Sequence, residues 1–253
     1  MKIRSAFVAT FAAIAALGAA GSIAHGAASW TGVPVLMYHK IDATVPAGDA
    51  VGRDLTVEPA AFAAQLGYLR EHRIATLTAA DLVRELAAGA HPANAVVLTF
   101  DAGYDDAATT ALPLLQKFRA RGTFYISSGF VGTPRHLSWK QIRALRAAGM
   151  EVACHGSFHL DLSQLDRSGQ TSEAAGCMRR FGRWLGGAAP VTYAYPAGKY
   201  DATTLDIMKN QGIAAAFTER PGTVVDLARP YELPRRRIRH DDGLTRFAEL
   251  VRP

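Results

Sequence analysis

Short apolar runs rich in Val, Ile, Phe and Tyr recur along the chain: Val33–Tyr38, Ile74–Leu77, Val96–Phe100, Thr123–Ile126, Glu151–Cys154, Thr192–Tyr195 and Ala214–Thr218. Helical patterns fill the stretches between them. A strand followed by a helix brings the chain back to the same end of a sheet, so successive strands lie parallel. About seven repeats are enough to curl such a sheet into a closed or nearly closed barrel. The expectation is an α/β protein built as a distorted, TIM-like barrel. In such barrels chemistry sits where strands end and loops begin, at the carboxyl side.

The helices carry their own start and stop signals. Phe62, Leu66 and Leu69 share one helical face. Thr78 and Asp81 read as a helix start before Leu82-Val83-Arg84-Glu85-Leu86, and Gly89 ends it. Ser138 and Gln141 form a capping box, flanked by the Leu137/Ile142 staple, and Gly149 supplies the stop. A further helix is expected over Glu173 to Leu185, with Cys177 on it. No linker-like stretch and no internal repeat interrupts the pattern. The 253 residues, 49% of them hydrophobic, are near the upper limit for one core. One domain is expected over residues 27–253.

The charge of +6 is mild and evenly spread, so it does not point to nucleic acid. Two cysteines, Cys154 and Cys177, exclude a disulfide-framework scaffold and a cysteine-built zinc site. A disulfide between them is permitted, but Cys154 on a buried strand reads first as an inert thiol.

Residues 1–26 read as a secretory leader. Lys2 and Arg4 form a basic start, Ala6–Ala20 an apolar run, and small residues follow around Ser22, Ala24 and Gly26. The apolar run is short for a membrane span, and no other segment is apolar enough to make one. A secreted or periplasmic protein without a stable membrane span is expected. Removing Lys2 and Arg4 lowers the formal charge from +6 to +4.

Three strand ends carry polar groups that a core does not need. Val96–Phe100 runs into Asp101, with Gly103 turning the chain; a carboxylate at a barrel mouth is a candidate base, though Asp before Gly equally suits a turn. Glu151–Cys154 runs into His155 and His159, two imidazoles in a loop that suit a borderline metal such as zinc. Thr192–Tyr195 runs into Pro196-Ala197-Gly198, a rigid turn able to aim a backbone N–H at an oxyanion. His39, at the end of the first strand, is placed to line the same mouth.

In order and spacing these segments resemble the polysaccharide deacetylases with a NodB homology domain, carbohydrate esterase family 4. The similarity starts at Pro34-Val35-Leu36-Met37-Tyr38-His39-Lys40-Ile41, which looks like the biofilm poly-N-acetylglucosamine deacetylase branch. It continues through Ala95–Tyr104, Gly122–Ile126, Leu137-Ser138-Trp139, Gly149-Met150-Glu151, His155/His159 and Tyr195–Gly198. The resemblance implies a distorted (β/α)7 barrel and metal-assisted hydrolysis of an N-acetyl group on an N-acetylglucosamine-containing polysaccharide. By position Asp101 matches the general base, and His155 and His159 match ligands of a divalent metal, zinc by donor type. Tyr195, Pro196, Ala197 and Gly198 match the groove and oxyanion segment. Arg235, in Glu232-Leu233-Pro234-Arg235, is expected to reach Asp101.

The chain departs from the family where Ala102 replaces the second Asp of an Asp-Asp pair, the usual third metal ligand. Asp105, Asp106 or Asp161 could substitute for it, Asp106 also matching a helix-start Asp, or Asp101 could turn to the metal. The family's terminal general-acid His is not found, and His240 is a weak substitute. Two activities follow: a deacetylase weakened at Ala102, or an inactive glycan-binding or polysaccharide-export accessory protein. In the run Arg235–Arg239 all but Arg235 are expected to face solvent. Trp139 reads as packing.

Overall fold

The computed structural model describes residues 29–45, 48–186 and 190–253. The expected leader, residues 1–26, lies outside them. In chain order the strands are β1 (Ser29–Thr31), β2 (Val35–Tyr38), β3 (Lys40–Ile41), β4 (Thr56–Val57), β5 (Ala75–Leu77), β6 (Ala95–Phe100), β7 (Thr123–Ile126), β8 (Glu151–Cys154), β9 (Thr192–Ala194), β10 (Ala215–Phe217), β11 (Val224–Asp226) and β12 (Arg236–Arg237). The helices are α1 (Ala50–Asp54), α2 (Pro59–Glu71), α3 (Ala79–Ala87), α4 (Leu112–Phe118), α5 (Trp139–Ala147), α6 (Arg167–Leu185), α7 (Ala202–Asn210) and α8 (Leu244–Leu250).

The main sheet runs β10–β9–β8–β7–β6–β2–β12, with β5 also on β6, and its pairs are parallel. The segment from Leu233 to Arg237 links its two ends. Leu233 bridges Phe217 of β10, while Arg236 and Arg237 pair with Leu36 and Met37 of β2. The sheet therefore curls back on itself as the expected distorted (β/α)7 barrel in one domain. Two small ladders, β1 with β11 and β3 with β4, lie outside it.

Side chains alternate faces along each strand. Leu36, Leu98, Phe124, Val152 and Tyr193 point outward into the helix-covered core with Phe62 and Leu66 of α2. Val35, Val97, Tyr125, Ala153, Ala194 and Phe217 form the inner cluster. Helix α3 closes the barrel at the strands' amino ends: Ala79 N–H donates to Thr123 Oγ1 and Ala80 N–H to Glu151 Oε2. Its Ala79, Leu82 and Leu86 join the inner cluster. The carboxyl end stays open.

The expected capping boxes at Thr78/Asp81 and Ser138/Gln141 both form. Leu137 and Ile142 are fully buried, and Gly149 turns with φ +81°. The helix expected from Glu173 begins earlier, at Arg167, behind Asp166, whose carboxylate accepts from Gly169 N–H. Cys154 is not a free thiol: it is bonded to Cys177, with Cα atoms 6.0 Å apart. Sequence could not supply that proximity, because it depends on α6 packing against β8. The Arg236–Arg239 run does not simply face solvent either. Arg237 pairs with Asp54 and Glu219, Arg239 with Asp54, and Arg236 donates to the Leu250 and Arg252 carbonyls.

Candidate active site

The same alternation that puts Val97 and Tyr125 inside the barrel carries Thr99 and Asp101, Ser127, and His155 to its inner carboxyl rim. Leu233–Arg237 closes the barrel beside β2, and this brings Arg235 under the same rim. Arg235 is the largest fully buried side chain, and its guanidinium grips Asp101 bidentately, with Nη1–Oδ1 and Nη2–Oδ2 both 2.7 Å. Its Nε also donates to the Thr218 carbonyl and its Nη1 to Thr99 Oγ1. Burial by itself raises the Asp101 carboxyl. The Arg235 guanidinium overcomes this and holds it well below the usual carboxylate range. Asp101 is a carboxylate at neutral pH, and both its oxygens are oriented.

His155 is buried, and its Nδ1 lies 2.8 Å from the Ala194 carbonyl. A carbonyl only accepts, so Nδ1 carries the proton and Nε2 keeps its lone pair. Burial lowers the His155 pKa to about 3 despite the attraction of Asp101, so the ring is neutral. His159 is exposed, in a left-handed backbone conformation (φ +57°), with its ring 4.9 Å from that of His155. His39 is partly exposed, and burial lowers it to about 4. His39, His159, Ala102, Ser127, Tyr104 and Ala197 border a cleft of about 700 Å³ over this rim.

Not every expected residue lines the cleft. Ala197 does, with φ +50° inside the Pro196–Gly198 turn. Tyr195 does not: it is fully buried, its hydroxyl donates to the Tyr231 carbonyl and its ring stacks on Tyr200. Pro196 is buried beside Gly156, and Gly198 backs onto Glu219. These three hold the turn that presents Ala197. Asp106 is a tie, not a rim carboxylate: its Oδ2 accepts from Ile41 N–H at 2.6 Å, and it makes no side-chain cap. Asp161 accepts from Ser163. His240 lies against the Thr56 carbonyl.

Sequence reasoning missed the aromatic and charged lining. Phe130, Phe158 and His136 border the cleft, with His136 stacked on Tyr104, and Arg237 sits between Asp54 and Glu219 at its edge. Phe158 lies between the two site histidines in sequence, which was the available signal. The others arrive from distant loops.

The donor set is short for a metal. Of the two imidazoles expected to hold a metal, His159 borders the cleft and His155 is buried beneath it, Asp101 is committed to Arg235, and Ala102 offers no donor. Among the described residues no three His, Cys, Asp or Glu converge to hold a metal ion. A three-ligand centre does not fit these residues. The backbone nonetheless keeps an unusual shape at Ala102, with φ +73°, a region that Asp and Asn enter more readily than Ala.

The family model for polysaccharide deacetylases matches residues 88–216. YxkH of Bacillus subtilis, a polysaccharide deacetylase by name, is 28% identical over 207 residues, covering 81% of this chain and 71% of that protein. The poly-β-1,6-N-acetyl-D-glucosamine N-deacetylase of Staphylococcus aureus is 23% identical over 202 residues, covering 75% and 70%. Among solved structures, the Streptococcus pyogenes deacetylase PplD in complex with acetate superposes with a TM-score of 0.81 at 27% identity, covering 90% of this chain and 100% of that one. IcaB from Ammonifex degensii gives 0.75 at 25% identity, covering 88% and 98%. With its barrel, its rim Asp and its paired imidazoles on the page, the chain belongs to the polysaccharide deacetylase family, hydrolases of the carbon–nitrogen bond of an N-acyl group.

Proposed function

We propose that the protein is an extracytoplasmic N-deacetylase of an N-acetylglucosamine-containing polysaccharide, with turnover weakened at Ala102. The observation that carries this reading is the ionised, doubly tethered Asp101 set beside two imidazoles under an open cleft. Asp101 holds a water and takes its proton as the oxygen attacks the acetyl carbonyl. The Ala197 N–H, on the cleft wall, donates to the oxyanion that forms. His155, with Nε2 unprotonated, accepts a hydrogen bond from the water. His39, whose neutral ring borders the cleft, relays the proton that Asp101 has taken from the water, accepting it on one ring nitrogen and releasing it to the departing nitrogen as the carbon–nitrogen bond breaks. Zinc is the ion that imidazole and carboxylate donors suit. With Ala102 in place the residues present supply only the imidazole part, and metal affinity drops by at least ~10–100-fold. The disulfide and the leader-like start support an oxidising compartment outside the cytoplasm. Among the described residues no helix is long and apolar enough to cross a membrane.

The test is Ala102→Asp. Zinc content, the zinc-induced shift in Tm and acetate release from an N-acetylglucosamine oligomer are measured for both proteins. Zinc binding and acetate release should rise together by at least ~10-fold in the variant. No acetate from the variant with any divalent metal overturns the deacetylase reading. The missing carboxylate also favours a second reading, a glycan-binding or export accessory protein. Oligomer binding by the unaltered protein in chelator, without acetate release at any metal concentration, selects that one.

A further inference from the structure

A second cleft, of about 650 Å³, runs along α6 and shares the wall of Phe158 with the cleft over the rim. Arg179, Arg180 and Arg183 line it, all exposed. Arg180 lies over the Phe158 ring, 5.5 Å from its centroid. Arg179 and Arg183 are one helical turn apart and meet no carboxylate among the described residues.

The nearby acids are committed elsewhere. Glu173 accepts from the Phe158 and Leu160 N–H groups, Asp161 from Ser163, and Asp166 from Gly169 N–H. The floor is thus a strip of unbalanced guanidinium charge beside two exposed apolar side chains, Phe158 and Leu160. The strip is rigid relative to the site: Cys177, on the helix that carries the arginines, is bonded to Cys154, the neighbour of His155.

We propose that this groove binds the flanking sugars of an acidic glycan, a polysaccharide whose residues next to the reacting N-acetylglucosamine carry carboxylates. The inference rests on the deacetylase reading and names its substrate class. Guanidinium forks match carboxylate geometry. The three arginines are strung along a helix and do not converge on one point, which fits single charges spaced along a chain better than one compact dianion. Phe158 supplies a face for a sugar ring between the two clefts.

The experiment measures binding by calorimetry at low and high salt. The probes are an oligosaccharide of alternating glucuronic acid and N-acetylglucosamine, a neutral N-acetylglucosamine oligomer of equal length, and that oligomer bearing phosphomonoesters. The acidic probe should bind about 5–30-fold more tightly than the neutral one at low salt, and the gap should close as salt rises. Arg179→Gln/Arg183→Gln should lose that preference with Tm and neutral-oligomer affinity unchanged. Equal affinity for acidic and neutral probes, a preference that survives the double variant, or tighter binding of the phosphorylated oligomer overturns the proposal. Acetate release is scored separately. A preference that maps to the arginines without acetate from any probe refutes the deacetylase reading and leaves the groove standing.

Discussion

Asp101 and Arg235 are the two residues whose identities depend most on each other. Both are fully buried, 134 positions apart in sequence, and joined by two 2.7 Å contacts. Removing one partner leaves a buried charge without a counterion, which costs about 3–5 kcal/mol. Arg235→Met and Asp101→Asn should each lower the unfolding free energy from urea titration by that amount. The double variant should regain much of it, and simple additivity would show that the pair is not coupled. Asp106 has a different dependence. Burial raises its carboxyl to about 6, against the pull of the Ile41 N–H. A group that binds its proton more tightly when folded stabilises the protein fully below about pH 4 and loses that contribution as pH rises through about 6. The unfolding free energy should therefore fall by up to about 3 kcal/mol across that window. Asp106→Asn keeps the acceptor for Ile41 and should flatten the profile; identical profiles in the two proteins would count against this assignment.

At the scale of elements, the β8–α6 pair holds the site. β8 delivers His155 to the rim, α6 covers the outside of β8, and Cys154–Cys177 ties them across 23 residues. Closing a loop of that length stabilises by about 3 kcal/mol, chiefly by restricting the unfolded chain. Cys177→Ala should lower Tm, and reductant should lower the Tm of the unaltered protein to match. A Tm that ignores reductant would mean the two sulfurs are not bonded in solution. The turn after β6 is equally constrained. Gly103 has φ +84°, and a Cβ there would lie 2.6 Å from Ile126 Cγ2. Only glycine lets the chain leave Asp101 so sharply.

For the molecule as a whole, barrel closure decides which end carries chemistry. Helix α3 fills the amino end with Leu82 and Leu86 and gives backbone donors to Glu151 and Thr123. Leu233–Arg237 seals the side between β10 and β2 and inserts Arg235 beneath the rim. Strand periodicity and capping signals made the parallel sheet and the starts of α3 and α5 legible, since both arise from local geometry. The basic run at β12 could be read as a strand with its arginines in solvent, but not as the strand that closes the barrel. It is two residues long and rich in arginine, and only its register against β2 shows that role. The arginine groove was hidden for a similar reason: it exists only because Phe158 folds over α6.

The sequence by itself determined the barrel, the family, and the kinds of groups at each strand end, because alternation and turn chemistry act over a few residues. It also located the missing carboxylate at Ala102. Tertiary structure decided what those groups can do together. Asp106 turned to Ile41 and Tyr195 to Tyr231, although both stand near site residues in sequence. Arg235 was brought to Asp101 from the far end of the chain. Among the described residues no nearby acid replaced the absent donor: Asp106 is held by the Ile41 N–H and Asp161 by Ser163. Burial and closure set such partnerships, and both require the whole chain to be folded.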